Sequence, residues 1–147
     1  MQGDLWSILL TGLGETLYMV LLSASSALIL GLPLGVALVV TGKGHILESA
    51  GLNKALGVII NCTRSFPFVI LIVLLLPLSR LLVGTTLGVT AAVVPLSIGS
   101  APFLARIIEN CLKEVDWGKI EAAQAMGSTP WEIVGKVLIP EALPSLV

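Results

Sequence analysis

Few residues in this sequence have side chains suited to catalysis or metal binding. His45 is the only histidine, and the two cysteines, Cys62 and Cys111, have no Cys-x-x-Cys partner and no histidine at ligand spacing. Arg64 lies at the edge of the second apolar segment described below and is the ionisable candidate for a site there. An intramembrane enzyme would need paired carboxylates, a Ser/Lys pair or a histidine cluster there. We therefore predict no catalytic residue and no metal site.

The segment Gly42-Lys43-Gly44 is the nearest approach to a phosphate-binding loop. It lacks the upstream glycine and the following Ser or Thr that such a loop requires. We therefore expect no nucleotide or other cofactor on this chain.

Composition indicates the class of protein. Hydrophobic residues make up 56% of the 147 residues and charged residues only 12%, against roughly 25% charged in an average globular chain. The mean hydropathy is +1.03. The net charge of -1 provides no basic surface for nucleic acid. These values predict an integral membrane protein and exclude a nucleic-acid-binding domain.

Three apolar segments could cross a bilayer, and they predict an all-α, polytopic helical bundle in one domain over residues 1–147. They cover about residues 16–40, 65–83 and 86–104, and a span needs about 20 apolar residues. In the first, Gly31 and Gly35 lie one turn apart and would let a neighbouring backbone approach, while Pro33 invites a kink. The alternative for that segment is a lipid-facing helix with incidental glycines.

Arg64 interrupts the second apolar region, and a bare arginine near a bilayer centre costs about 3 kcal/mol or more. Two arrangements avoid this cost. Arg64 could lie at the cytosolic interface, with the span beginning at about residue 65. Alternatively, Leu56–Leu78 could span while Arg64 faces a wet interior. The first is favoured because Pro67 is a natural start for a new helix.

The third segment is rich in small residues and helix breakers, which suits close packing or the lining of a path. These residues are Gly88, Ala91, Ala92, Pro95, Ser97, Gly99, Ser100, Ala101 and Pro102. We expect this face to point into the protein, and simple helix packing is the alternative. The candidate residues for lining or gating a path are Arg64, Ser65, Pro67, Pro95 and Gly99.

Lysine and arginine positions predict the topology. The N-terminal arm has neither residue, and the connection between the second and third segments has Arg80. The first loop and the region after the third segment contain Lys43, Lys54, Lys113, Lys119 and Lys136. By the positive-inside rule, the N-terminus lies outside and the region after the third segment is cytosolic.

That cytosolic region, residues 113–140, is called the elbow below. Gly127 suits a left-handed helix stop. Thr129, Pro130 and Glu132 form a capping box that starts a second helix at Ser128 or Thr129. We expect a helix-turn-helix that ends at Pro140. A plain connecting loop is the simplest alternative, because Glu, Lys and Ala are ordinary helix formers.

The order of residues in the elbow resembles the EAA loop of binding-protein-dependent ABC importer permeases. The family pattern is Glu-Ala-Ala, three residues, Gly, nine residues, Ile, any residue and Leu-Pro. This chain has Glu121-Ala122-Ala123, Gly127 and then Val137-Leu138-Ile139-Pro140, with Val137 and Ile139 in place of Ile and Leu. Six further segments occur in the order typical of the methionine permease branch: 64–68, 77–80, 83–85, 101–106, 125–130 and 140–144.

The resemblance implies a type I importer in the bacterial inner membrane that takes up methionine. It would contain two permease copies, two cytosolic ATPase subunits that hold the ATP, and an extracytoplasmic substrate-binding lipoprotein, all in contact with membrane lipid. The elbow would be the coupling helix, seated in a groove of the ATPase. The residues implied to contact the ATPase are Glu121, Ala122, Ala123, Met126, Gly127, Ser128, Thr129 and Pro130.

Such permeases usually carry five spans. The resemblance therefore implies a truncated chain that stops where a fourth span begins, at about residue 142, with two spans missing. Two alternatives remain open from the residues: a permease for another small amino acid, and a non-transporting membrane scaffold whose elbow binds some other cytosolic protein.

Overall fold

A computed structural model describes residues 2–147, with side chains from Asp4 onward. Within that range the secondary structure is helical and contains no strand, so the predicted all-α class is confirmed. The helices are α1 (Gln2–Val40), α2 (Ala50–Ser65), α3 (Phe68–Val83), α4 (Val89–Lys113), α5 (Trp117–Ala125), α6 (Pro130–Ile133) and α7 (Ile139–Leu146), with a π-helical turn, Val134–Leu138, between α6 and α7.

The long helices α1 and α4 pack closely against each other, and two glycines of α1 make the approach possible. A Cβ atom at Gly35 would lie 2.8 Å from the Ala105 carbonyl oxygen and from the Ile108 Cβ, and one at Gly31 would lie 3.0 Å from the Ala101 oxygen. The predicted role of this glycine pair is confirmed. The incidental-glycine alternative is wrong.

In the part of the chain that the structure describes, two helices are long and apolar enough to cross a membrane: Asp4–Val40 and Val89–Lys113. The pair α2 and α3 would make a third crossing if the two helices form one broken span, because they meet at 108°. The predicted spans 16–40, 65–83 and 86–104 fall largely within these helices. Their membrane boundaries stay predictions.

Two of these helices are longer than the apolar segments that predicted them. α1 begins at Gln2, and its polar residues are accommodated because their hydroxyls bond within the helix: the Thr11 hydroxyl donates to the Ser7 carbonyl at 2.8 Å and that of Thr16 to the Gly12 carbonyl at 2.7 Å. α4 runs on to Lys113 because Glu109 accepts from Arg106 and Lys113, both at 2.6 Å, on the same helix face.

The chain breaks between two helices just after Arg64, and a new helix starts after Pro67 as the sequence predicts. α2 ends at Ser65 and Pro67 caps α3. Because α2 and α3 could form one broken span, both arrangements of Arg64 stay predictions. Phe66 is extended (φ -75°, ψ 137°), as expected before a proline. The Arg64 side chain is exposed, and its guanidinium lies 5.9 Å from the centre of the Phe103 ring.

The small residues of α4 mostly pack against α1 and α3. Six of them are buried, namely Ala91, Pro95, Ser97, Ala101, Pro102 and Ala105. Gly99 admits the Phe68 ring so closely that an added Cβ would lie 2.6 Å from it. The buried part of this face does point into the protein and packs against other helices, and a role in lining a path stays a prediction.

The main hydrophobic core joins the ends of α1 and α4 to the elbow. It consists of Val39, Val40, Ile108, Leu112, Ile120, Ala123, Ile133, Leu138 and Ala142, and is called the elbow core below. Burial of these side chains fixes α5, α6 and α7 against the ends of the two long helices.

Candidate functional site

The first half of the elbow is α5 and the stop that follows it. The Asp116 carboxylate caps the helix by accepting from the Gly118 N–H at 3.0 Å. Gly127 has φ +81°, the left-handed conformation that the sequence predicts. Its N–H donates to the Gln124 carbonyl at 2.9 Å, and the Ser128 N–H donates to the Ala123 carbonyl at 3.1 Å. The chain therefore turns sharply with its backbone groups satisfied.

The second half begins with the predicted capping box. Thr129 is the N-cap and Pro130 stands in the first turn. The Thr129 N–H donates to the Glu132 carboxylate at 2.9 Å, and the Glu132 N–H donates to the Thr129 hydroxyl at 3.4 Å. The hydrogen bonds from the Thr129 backbone and hydroxyl, followed by the one from Lys136, lower the pKa of Glu132 to about 2. This carboxylate is therefore charged at neutral pH.

The second helix of the elbow does not end at Pro140 as predicted, because the helical run continues to Leu146. Pro140 has no N–H to donate, and its ring would clash with the preceding turn of an α-helix. The backbone widens instead: the Ile139 N–H bonds to the Val134 carbonyl, five residues back, and Val134–Leu138 forms a π-turn. The proline is accommodated without a break.

Seven of the eight residues assigned to ATPase contact reach the surface of the elbow. Glu121, Ala122, Met126, Gly127 and Thr129 are exposed, and Ser128 and Pro130 are half-buried. Ala123 is only 4% exposed and belongs to the elbow core, so its assignment to a contact surface is corrected to packing.

Two large apolar side chains stand out from this surface. Met126 is 80% exposed and Trp131 is 78% exposed, on either side of the Gly127 turn. Glu121 has no hydrogen bond or ion pair with the part of the chain that the structure describes. Exposed apolar side chains and an exposed carboxylate on the same elbow suit a protein contact. Trp131 was missed by sequence reasoning, although its place inside the second helix could have drawn attention to it.

The five candidate path residues are not gathered at one place. Arg64 and Gly99 line the same hollow of about 260 Å³, together with Phe68 and Phe103. Ser65 and Pro67 lie exposed at the adjoining bend, whereas Pro95 is buried and lines a separate hollow between α3 and α4. A path role for these residues stays a prediction.

His45 makes a contact that the sequence did not indicate. The position of His45 in a polar loop beside Lys43 predicts a solvated or headgroup-facing side chain. The ring is instead half-buried and meets the Trp117 ring edge-to-face, with centroids 5.0 Å apart. Cys62 is exposed, and Cys111 is buried with its thiol 3.2 Å from the Ser145 carbonyl oxygen. Within the described residues, no group of three His, Cys, Asp or Glu side chains could hold a metal.

Comparison with protein families gives a match over most of the chain. Residues 27–147 match the model of the family described as "Binding-protein-dependent transport system inner membrane component". The D-methionine transport system permease protein MetI of Salmonella typhi is 50% identical over 146 residues, which are 99% of this chain and 67% of that protein. MetI of Escherichia coli K12 is 50% identical over 140 residues, or 95% of this chain and 64% of that protein.

A solved structure gives the same result for the fold. The chain superimposes on a subunit of the MetNI methionine ABC transporter in inward-facing conformations, with a TM-score of 0.96 and 48% identity over 99% of this chain and 68% of that one. The chain thus spans about two thirds of the length of the relatives that it matches.

Proposed function

Because the chain belongs to the family of binding-protein-dependent transport system inner membrane components, we propose that it is a permease subunit of an ATP-driven methionine importer. It would form part of the membrane path and carry no catalytic residue, with ATP bound and hydrolysed by a separate subunit. The observation that carries this proposal is the elbow, which presents Glu121, Ala122 and Gly127 of the EAA pattern on its surface while its core anchors it to two long helices.

The proposed assembly follows from the relatives and the chemistry of the elbow. Two permease copies would meet two cytosolic ATPase subunits, and an extracytoplasmic binding protein would deliver substrate. The N-terminus lies outside and the elbow lies in the cytosol, in agreement with the lysine distribution. At the ATPase, Met126 and Trp131 would enter apolar contacts and Glu121 would accept charge-assisted hydrogen bonds.

The proposed mechanism is movement of the elbow as a rigid body. When ATP closes the ATPase pair, the elbow shifts with its groove. The ends of α1 and α4 share the elbow core, so both helices shift with it. α3 packs on α4. The expected effect is a change of tilt that opens the path alternately to the two sides of the membrane.

The coupling assignment is tested by Glu121→Ala in the full-length permease expressed with its ATPase and binding protein. We expect less ATPase to co-purify and methionine uptake to fall in proportion. Glu15→Ala, on the exposed first half of α1, is the matched control and should leave both unchanged. Unchanged co-purification together with unchanged uptake in Glu121→Ala would show that the elbow does not couple.

The substrate is tested separately by uptake of labelled methionine in cells that lack other routes. Excess unlabelled methionine should abolish uptake, and other amino acids should not. Competition by another small amino acid at a lower concentration than unlabelled methionine requires would reassign the substrate.

In the co-purification experiment, a complete lack of ATPase association with the wild-type permease would favour a membrane scaffold.

A further inference from the structure

The first loop, residues 41–49, is held firmly between α1 and α2. The Leu47 N–H donates to the Val40 carbonyl at 3.0 Å and the Ser49 N–H to the Thr41 carbonyl at 3.1 Å. Across the loop, the Gly44 N–H donates to the Glu48 carboxylate at 2.9 Å. With so many backbone bonds closed over so few residues, the loop behaves as a stiff connector.

α2 is attached to this connector through one side chain in its first turn. The Asn53 amide donates to the Leu38 carbonyl at 2.7 Å and to the Thr41 hydroxyl at 3.1 Å. Both bonds are partly buried, which makes them costly to break. The beginning of α2 therefore follows the end of α1 and the loop.

The opposite side of the loop contacts α5. The His45 ring meets the first residue of α5, Trp117, at 5.0 Å with an interplanar angle of 82°, and Ile46 packs against the elbow core. The Nδ1 atom of His45 is buried and has no hydrogen-bond partner within the described part of the chain. His45 is thus held here by packing on Trp117, and a displacement of α5 would press directly on the loop.

We propose that the first loop is a mechanical link from the elbow to α2, and that His45 and Trp117 are the positioning residues that transmit the displacement. This inference rests on the proposed coupling function. α2 leads to the 108° bend and to the hollow that Arg64 and Gly99 line. The link would let the elbow move the bend as well as α4.

A second contact, between α4 and α2, could also transmit a displacement to α2, and the test must distinguish it from the first loop. The Arg106 guanidinium of α4 donates to the Asn61 side chain of α2 at 3.0 Å. If that bond alone carried the displacement, removal of the His45–Trp117 contact would leave coupling intact.

The experiment measures methionine uptake per ATP hydrolysed by the full-length permease with its ATPase and binding protein in proteoliposomes. His45→Ala and Trp117→Ala should each lower this ratio, by about two- to tenfold if the aromatic contact is lost. Trp117→Phe keeps a ring for edge-to-face packing and should retain most of the wild-type uptake per ATP hydrolysed. Lys43→Ala, an exposed neighbour in the same loop, is the matched control.

The ratio of methionine uptake to ATP hydrolysis distinguishes a loss of coupling from a loss of folded protein. A variant that folds less well loses uptake and ATP hydrolysis together, so its ratio stays unchanged. The double variant His45→Ala/Trp117→Ala should be no worse than either single variant, since both remove one contact. A normal ratio in both alanine variants would overturn the link, while wild-type coupling in the same assay would leave the proposed function standing. A wild-type complex that neither transports nor hydrolyses ATP would overturn the proposed function itself.

Discussion

Gly127 is the residue on which the shape of the elbow depends. Its φ of +81° is unfavourable for any residue with a Cβ atom, whereas the space around it is open. We predict that Gly127→Ala destabilises the protein by about 1 kcal/mol through backbone strain alone. Thermal unfolding in detergent is the measurement.

Gly135 supplies the matched control for this prediction. It is exposed, lies in the helical run, and also has open space around it, but its φ is not positive. Gly135→Ala should leave stability unchanged or raise it by up to about 1 kcal/mol. Equal destabilisation by the two substitutions would show that strain at Gly127 is not the cause.

His45 makes the contact between loop and elbow sensitive to pH. Burial lowers its pKa below the ordinary 6.5, and Lys113 of α4 lowers it further. The unfolded chain then binds the proton more tightly than the folded chain. The contribution of the neutral His45 ring to folding stability is therefore fully present above pH 6.5, and it is lost as the pH falls through the pKa of the folded protein.

We therefore predict that wild-type protein loses more thermal stability between pH 7.5 and 5.5 than His45→Phe, which keeps a ring against Trp117. Glu132 does not interfere, because its pKa changes from 4.5 to about 2 on folding and its stabilisation is lost only below that range. Parallel pH profiles for the two proteins would contradict the prediction.

At the scale of elements, Gly31 and Gly35 let the backbones of α1 and α4 approach each other closely where the two helices cross. Gly35→Leu would place a side chain where even a Cβ lies 2.8 Å from the α4 backbone, so the helices must separate. We predict a destabilisation of about 1–3 kcal/mol or more, measured by thermal unfolding. Gly12→Leu, in an open part of the same helix, should have little effect; a similar loss there would point to helix propensity or membrane insertion as the cause.

The local features of these elements were predictable from the sequence, and the tertiary ones were not. The Gly31–Gly35 pair, the start of a helix after Pro67 and the capping box at Thr129 each depend on neighbours within one turn. The π-turn before Pro140 was missed because sequence rules treat a proline as an end. The contact of His45 with Trp117 joins residues far apart in the chain, and no periodicity signals it.

At the scale of the whole molecule, the elbow core separates the helices that pack with the elbow from those that pack elsewhere. The ends of α1 and α4 share this core with α5, α6 and α7, whereas α3 packs on α4 away from it. We infer that the elbow and the two helix ends unfold and refold locally as one cooperative unit. The family pattern could assign the elbow to a partner, but only the three-dimensional packing shows which helices share its core.

Ile120 provides the test of that unit, because it lies in α5, is 1% exposed and belongs to the elbow core. Ile120→Ala should cost about 2–5 kcal/mol through lost burial and a cavity. We predict faster amide hydrogen exchange in α5 and also at Val39–Val40 of α1 and in residues 130–142. Met126→Ala, at an 80% exposed position in the same segment, should change exchange little. Faster exchange confined to α5 would show that the elbow moves independently of α1, and the rigid-body mechanism would then lose its basis.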